Sequence, residues 1–153
     1  MKTKTQSRNY VNAFAGAVAA LSRAGEDLTA RVLEMLVTDF DAARAELWLW
    51  DGSSGSCYLT HAAGMKASHR LDYAAAGAGA VGKIAHNKTT IENIVLSTFG
   101  GDDLEFSRET GLTYISGYPL LAAGQLAGVL AIYTTGEVLE DLLVWWRLYS
   151  EMG

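Results

Sequence analysis

One cysteine, one proline and a shortage of basic residues are what this 153-residue chain has least of. A lone Cys57 excludes an internal disulfide and any multi-cysteine zinc site, and suits a reducing, cytoplasmic setting. With Pro119 the only proline, there is no proline-rich linker, and no stretch has a disordered composition. Lys and Arg number 12 against 17 Asp and Glu, a net charge of −5. Binding to nucleic acid needs clustered cations, so no such surface is expected. The short basic start (Lys2, Lys4, Arg8) reads as a solvated terminus. Long apolar runs are also missing. Tyr10–Leu21 is too short and too rich in alanine to span a bilayer, and no secretory cleavage context follows it. No signal peptide and no membrane span are therefore predicted.

Half of the residues are hydrophobic and 19% are charged, enough apolar surface for one ordinary domain with a substantial core. Tyr10, Phe14, Ala17, Val18 and Leu21 recur at helical spacing and predict a first helix over 10–23. After Gly25, Asp27 is placed to cap a second helix whose row is Leu28, Val32, Leu36 and Phe40. Ala45–Trp50 and Ser56–Ala62 flank an Asp/Gly/Ser loop and predict a β-hairpin. Strand alternation puts Glu46, Trp48 and Trp50 on one face, and Cys57, Leu59 and His61 together on the second strand.

The middle, Gly64–Phe106, has weaker periodicity. It predicts a short helix over Val81–His86, an extended piece over Thr90–Ile94 and a helix over Leu104–Thr110. Such a stretch is where segments that close over a ligand are expected. Tyr114–Ala122 and Gln125–Thr134 flank Ala123-Gly124, a second hairpin. The run LAGVLAIYT is almost continuously apolar, as in a central strand covered on both faces. Glu137–Met152 is a last helix with Leu139, Leu142, Leu143, Trp146 and Tyr149 on one side. The organisation is an N-terminal helix (1–26), a core (27–136) and a C-terminal helix (137–153), folded as one α+β domain. Its antiparallel sheet of five to six strands has helices on both faces.

Several of these pieces, in this order, resemble the GAF domain family, over roughly Leu28 to Met152. They are the apolar strand ending at Asp51, the partner strand closing with His61-Ala62-Ala63-Gly64, and Gly79-Ala80-Val81-Gly82-Lys83-Ile84-Ala85 followed by Thr89-Thr90-Ile91-Glu92-Asn93. Ser116-Gly117-Tyr118-Pro119-Leu120, Gly124 and Gly128-Val129-Leu130 complete the set. Independently of the resemblance, Gly82 would let its helix approach the sheet closely. Gly128 would relieve crowding in a strand packed on both sides.

The resemblance implies that one sheet face, roofed by the middle segments, forms a ligand cavity, and that the terminal helices cover the other face. On that basis Glu46, Trp48 and His61 are candidate floor residues. Ile84, Asn93, Phe99, Tyr114 and Ser116 are candidate roof or wall residues. A glutamate in an apolar strand is costly to bury without a partner, and His61 is one candidate for that partner. The alternatives are a Glu46 that reaches solvent and a His61 satisfied elsewhere in the protein. Trp48 is core in either case and can stack on a planar ligand.

The cyclic-nucleotide branch of the family is imitated by Asn87-Lys88, Phe99 and Asp103, but Leu104 stands where a glutamate is required. Covalent tetrapyrrole attachment needs a cysteine near the roof, and Cys57 lies on an early strand. Glu46, His61, His69 and His86 show no short metal-ligand spacing, so no metal is expected and any cofactor stays unidentified. Reduction of free methionine sulfoxide, known in this fold, needs a nucleophilic and a resolving thiol. On that ground no enzymatic activity is expected. The remaining expectations are a small-molecule sensor in a bacterial-style signalling protein, of which this chain is a part, or a ligand-free interaction module. In both, the terminal helices pair two copies of the chain, with Phe14, Val18, Trp145 and Leu148 at the seam.

Overall fold

The structure is a computed structural model that describes residues 28–66, 72–138 and 140–152. The expected first helix with Phe14 and Val18, the Asp27 cap, His69, Leu139 and the side chains of Leu28 and Tyr149 lie outside the described residues. In chain order the elements are α1 (Leu28–Asp39), β1 (Arg44–Asp51), β2 (Ser56–Gly64), β3 (Tyr73–Ala75), α2 (Gly79–Asn87) and β4 (Ile91–Val95). A 3-10 turn (Leu96–Phe99), α3 (Gly101–Thr110), β5 (Tyr114–Ala122), β6 (Gln125–Thr134) and α4 (Glu140–Met152) follow. The six strands form one curled antiparallel sheet in the order β3-β2-β1-β6-β5-β4.

Both predicted hairpins are present, and turn chemistry explains them. Between β1 and β2, Asp51 Oδ1 accepts from the Ser53 N–H and hydroxyl, and Gly55 takes φ +67°. Between β5 and β6, Ala123 and Gly124 have φ of +52° and +78°. Positive φ at both positions is the type I′ geometry that matches strand twist. Strand β6 lies inside the sheet, and Val129 to Tyr133 are buried without interruption, as its apolar run predicts.

Each face of the sheet carries its own core. On the outer face Ala45, Tyr118, Leu130 and Ile132 pack against α1 and α4 through Leu33, Leu36, Phe40, Leu142, Leu143 and Trp146. The Trp146 indole N–H donates to the Phe40 carbonyl at 3.0 Å, so the two terminal helices are joined beneath the sheet. On the inner face Trp48, Cys57, Ile115, Val129, Ala131 and Tyr133 pack against α2, the 3-10 turn and α3. A Cβ on Gly82 would lie 2.1 Å from the Ala75 carbonyl oxygen, and one on Gly128 would lie 2.2 Å from that of Trp48. The first contact lets α2 press against β3, and the second lets β6 close on β1.

Strand β3 was not anticipated, and it adds an edge beside β2 through Ser56↔Ala75 and Tyr58↔Tyr73. Helix α3 starts at Gly101, three residues before the expected Leu104, with Asp102 and Asp103 in its first turn, where the helix dipole favours acids.

Candidate functional site

Strand β1 sends Arg44, Glu46 and Trp48 to the inner face, where Glu46 is fully buried and Arg44 nearly so. Glu46 Oε2 accepts from Arg44 Nε at 2.8 Å. Its Oε1 accepts from Trp48 Nε1 at 3.0 Å and from the Tyr133 hydroxyl at 2.7 Å. Arg44 also donates to the Met65 carbonyl at 2.8 Å, and its guanidinium lies over the Phe106 ring, 5.5 Å from the centroid. A buried carboxylate with three donors, one of them a guanidinium, is stabilised where it lies, and it fixes the indole of Trp48.

Beside that indole, a cleft of about 330 Å3 opens between β3, α2 and the start of α3. Trp48, Tyr73 and Phe99 give it aromatic surface, and Gly79, Ala80 and Val81 form one wall. Gly100 to Asp103 form the opposite wall. The walls are tied together, since the Ala80 N–H donates to Asp103 Oδ2 at 2.8 Å. Gly79, at φ +66°, brings that amide close to the carboxylate. Lys83 Nζ lies 5.4 Å from the Phe99 ring centroid. Its volume is at the small end of the range of ligand pockets.

A second polar cluster lies on the other side of the sheet. Arg147 on α4 meets Glu92 on β4 through Nη2 at 2.6 Å and Nε at 2.9 Å, and meets Glu140 through Nη1 at 2.8 Å. The Tyr118 hydroxyl also donates to Glu92, at 2.7 Å. Burial, with that bond to Glu92, pushes the Tyr118 phenol above its ordinary range. Glu92, and next Glu140, hold Arg147 even more firmly protonated than usual.

The cleft collects two of the expected residues, Trp48 and Phe99. The others are placed elsewhere. The expected pairing of His61 with Glu46 is corrected, because β2 carries a bulge at Thr60: Leu47 pairs with His61 but Trp48 pairs with Leu59. The extra residue turns His61 to the outer side of the sheet, where it is exposed and bonds Thr60 Oγ1 at 3.1 Å. Glu46 is neither solvent-exposed nor a lining residue, since Arg44, Trp48 and Tyr133 take its oxygens.

Ile84 is buried in the inner core and packs over Gly117, away from the cleft lining. Tyr114 and Ser116 alternate with the inward Ile115 and so belong to the outer face, and Ser116 Oγ accepts from the Asn93 N–H at 3.0 Å. Asn93 is no roof contact either: its amide exchanges two 2.8 Å hydrogen bonds with the Val138 backbone. On α4 Trp145 and Leu148 are half-buried beside an exposed Val144. Sequence reasoning missed Tyr73, Asp102, Arg44 and Tyr133, and met Asp103 only within the imitated cyclic-nucleotide motif. Arg44 was within reach, because i and i+2 on a strand share a face.

Cys57 is buried, and desolvation pushes its thiol up to about 11. Among the described residues no group of three or more His, Cys, Asp or Glu could hold a metal ion, and no helix is long and apolar enough to cross a membrane.

A six-stranded antiparallel sheet with terminal helices on one face and a cleft under short helices on the other defines the fold class. The sequence pattern of the GAF domain family matches residues 25–145, and the chain belongs to that family. Curated proteins give no match. Among solved structures, the chain is similar to the GAF domain of a phosphoenolpyruvate-protein phosphotransferase from Coxiella burnetii. That likeness has TM-score 0.78 at 17% identity and covers 95% of this chain and 90% of that one. It is also similar to a GAF domain from A. aeolicus solved in an inactive state, with TM-score 0.73, 14% identity and coverage of 96% and 92%. A third similar structure is the free methionine-R-sulfoxide reductase from Neisseria meningitidis in complex with its substrate, with TM-score 0.79, 13% identity and coverage of 99% and 90%.

That third likeness corrects the expectation that the chain has no enzymatic activity. The same fold, over nearly the whole chain, is that of a reductase, so absence of catalysis does not follow from being a GAF domain. At such identity the likeness establishes the fold and not an activity.

Proposed function

We propose that this GAF domain is a sensory or regulatory module that binds a small molecule in the Trp48 cleft and relays occupancy through its terminal helices. The observation that carries the reading is the cleft, about 330 Å3 against an indole fixed by a buried carboxylate. A ligand there would bridge the α2 and α3 walls and shift the population of their arrangements. The setting we propose is a bacterial signalling protein in the cytoplasm, which the lone cysteine and a GAF sensor protein from Burkholderia vietnamiensis among its structural neighbours support.

The test is native mass spectrometry of the purified protein, followed by a metabolite screen read by Trp fluorescence and thermal shift. A bound small molecule, or a hit that quenches Trp fluorescence, is expected. Gly82→Ala forces α2 off the Ala75 carbonyl, and should weaken that hit at least about tenfold, because overpacked backbone contacts displace whole elements. A protein that stays empty across the screen, or a hit indifferent to Gly82→Ala, overturns the reading.

A second reading, a ligand-free homodimer module, is favoured by one feature. Val144 is exposed on the side of α4 away from Trp146 with the half-buried Leu148 beside it, and the half-buried Trp145 adjoins them while also packing against the outer core. Trp145→Glu with Leu148→Glu should then convert a dimer to a monomer in analytical ultracentrifugation. A wild-type monomer at high concentration would dispose of it.

A further inference from the structure

We infer that the two-residue bulge Glu92-Asn93 in β4 is the mechanical link between the cleft and the C-terminal helix. Strand β4 is the stretch of chain that joins the two cleft walls: α2 precedes it, and the 3-10 turn and α3 follow it. Its pairing with β5 is interrupted at just this point. Ile91 pairs with Gly117 and the ladder resumes at Ile94↔Ile115, leaving Glu92 and Asn93 out of register. Bulged residues re-aim their side chains, and both of these reach the C-terminal segment.

Asn93, held at φ +53°, exchanges its paired hydrogen bonds with the Val138 backbone, two residues ahead of α4. Glu92 grips Arg147, on the second turn of α4, with both carboxylate oxygens and takes the Tyr118 hydroxyl as well. Movement of either wall is transmitted along the chain to β4, and β4 is fastened to the C-terminal segment by four hydrogen bonds of two side chains, two with Val138 and two with Arg147. Tilting α4 would reciprocally open or close the cleft, since coupling between sites is mutual. The link itself is a property of the empty chain, and it rests on the proposed function only for what the motion would signal.

The test is amide hydrogen exchange on the ligand-free full chain, with Glu92→Gln, Arg147→Gln, the double variant, and Arg108→Gln as control. Arg108 meets only the exposed Glu105 in its ion pair, so its loss should change nothing in α2. Each single variant is expected to speed exchange in α2, including the Ala80 amide at the cleft, by about three- to tenfold, the scale of a lost charge-assisted hydrogen bond. The double variant should match the singles, because both remove one connection. If Arg147→Gln does not fold, Arg147→Lys, which keeps the charge but gives up the two-point contact with Glu92, takes its place with a smaller shift in the same direction. Faster exchange confined to α4, or single effects that multiply in the double variant, overturns the link. Because no ligand is present, a failed metabolite screen leaves this outcome standing, and the converse also holds.

Discussion

The two faces of the sheet are built by opposite means. The centre of the outer face is closed by hydrocarbon and aromatic surface from α1 and α4, where the Trp146 indole N–H is satisfied by one backbone carbonyl, and its ion pair, Arg147 with Glu92, is set at the β4 edge. The inner face buries a carboxylate and a guanidinium, and beside them leaves a cleft open. Apolar burial stabilises wherever it occurs, whereas a buried ion pair recovers little more than its own desolvation and instead fixes geometry. Apolar burial on both faces therefore holds the domain together, and the ion pair of the inner face adds a fixed place for Trp48.

Removing a central side chain from each face separates these roles. Trp146→Ala leaves a cavity between α1, α4 and the sheet and should cost about 3–5 kcal/mol, read from the urea midpoint at unchanged slope. No single second substitution should restore it. Glu46→Leu leaves the Arg44 guanidinium in the core without its counter-charge and should cost a similar or slightly smaller amount, about 3–4 kcal/mol. Here a partner change should help. Arg44→Met combined with Glu46→Leu is expected to recover about half or more of the loss, yet to broaden the Trp48 fluorescence, because the indole N–H then loses its carboxylate acceptor. A double variant as unstable as Glu46→Leu, with Trp48 unperturbed, would show that the inner network stabilises in the same way as the outer core.

The same contrast decides what could be read from sequence. Outer-face residues announced themselves by period alone: Leu36, Phe40, Leu142 and Trp146 fall at helical spacing and are buried as expected. Both hairpins followed from turn residues, with β5 and β6 bounded as predicted. The inner face depends on where backbones slip. One extra residue at Thr60 sent His61 to the wrong side for Glu46, and the β4 bulge redirected Asn93 from the roof to Val138. Strand alternation has no way to signal such slips, because a bulge inverts it from that residue onward. Tyr133, the second donor to Glu46 Oε1, is 87 residues away in the chain, and only the register of β1 on β6 brings it near. Strand β3, three residues long with two alanines, has too little pattern to see.

The smallest effect belongs to the turn that joins β1 to β2. Asp51 closes β1 with hydrogen bonds from Ser53 and Ser54, and these, the Ser53 hydroxyl foremost, hold its carboxyl below its ordinary range. A carboxyl lowered in the folded state adds stability above its unfolded pKa and loses it as pH falls through the folded value. Wild type should therefore lead Asp51→Asn slightly at neutral pH, and that lead should shrink only in acid, below the ordinary aspartate value of 3.8. Urea melts of the two proteins at stepped pH, with Trp fluorescence as the probe, measure the difference. Gly55 and the Thr60 bulge still fix the β1–β2 register in the variant, so the folded-state emission of Trp48 should not change. A shifted emission would mean that the turn, and not the buried Glu46 network, positions the cleft.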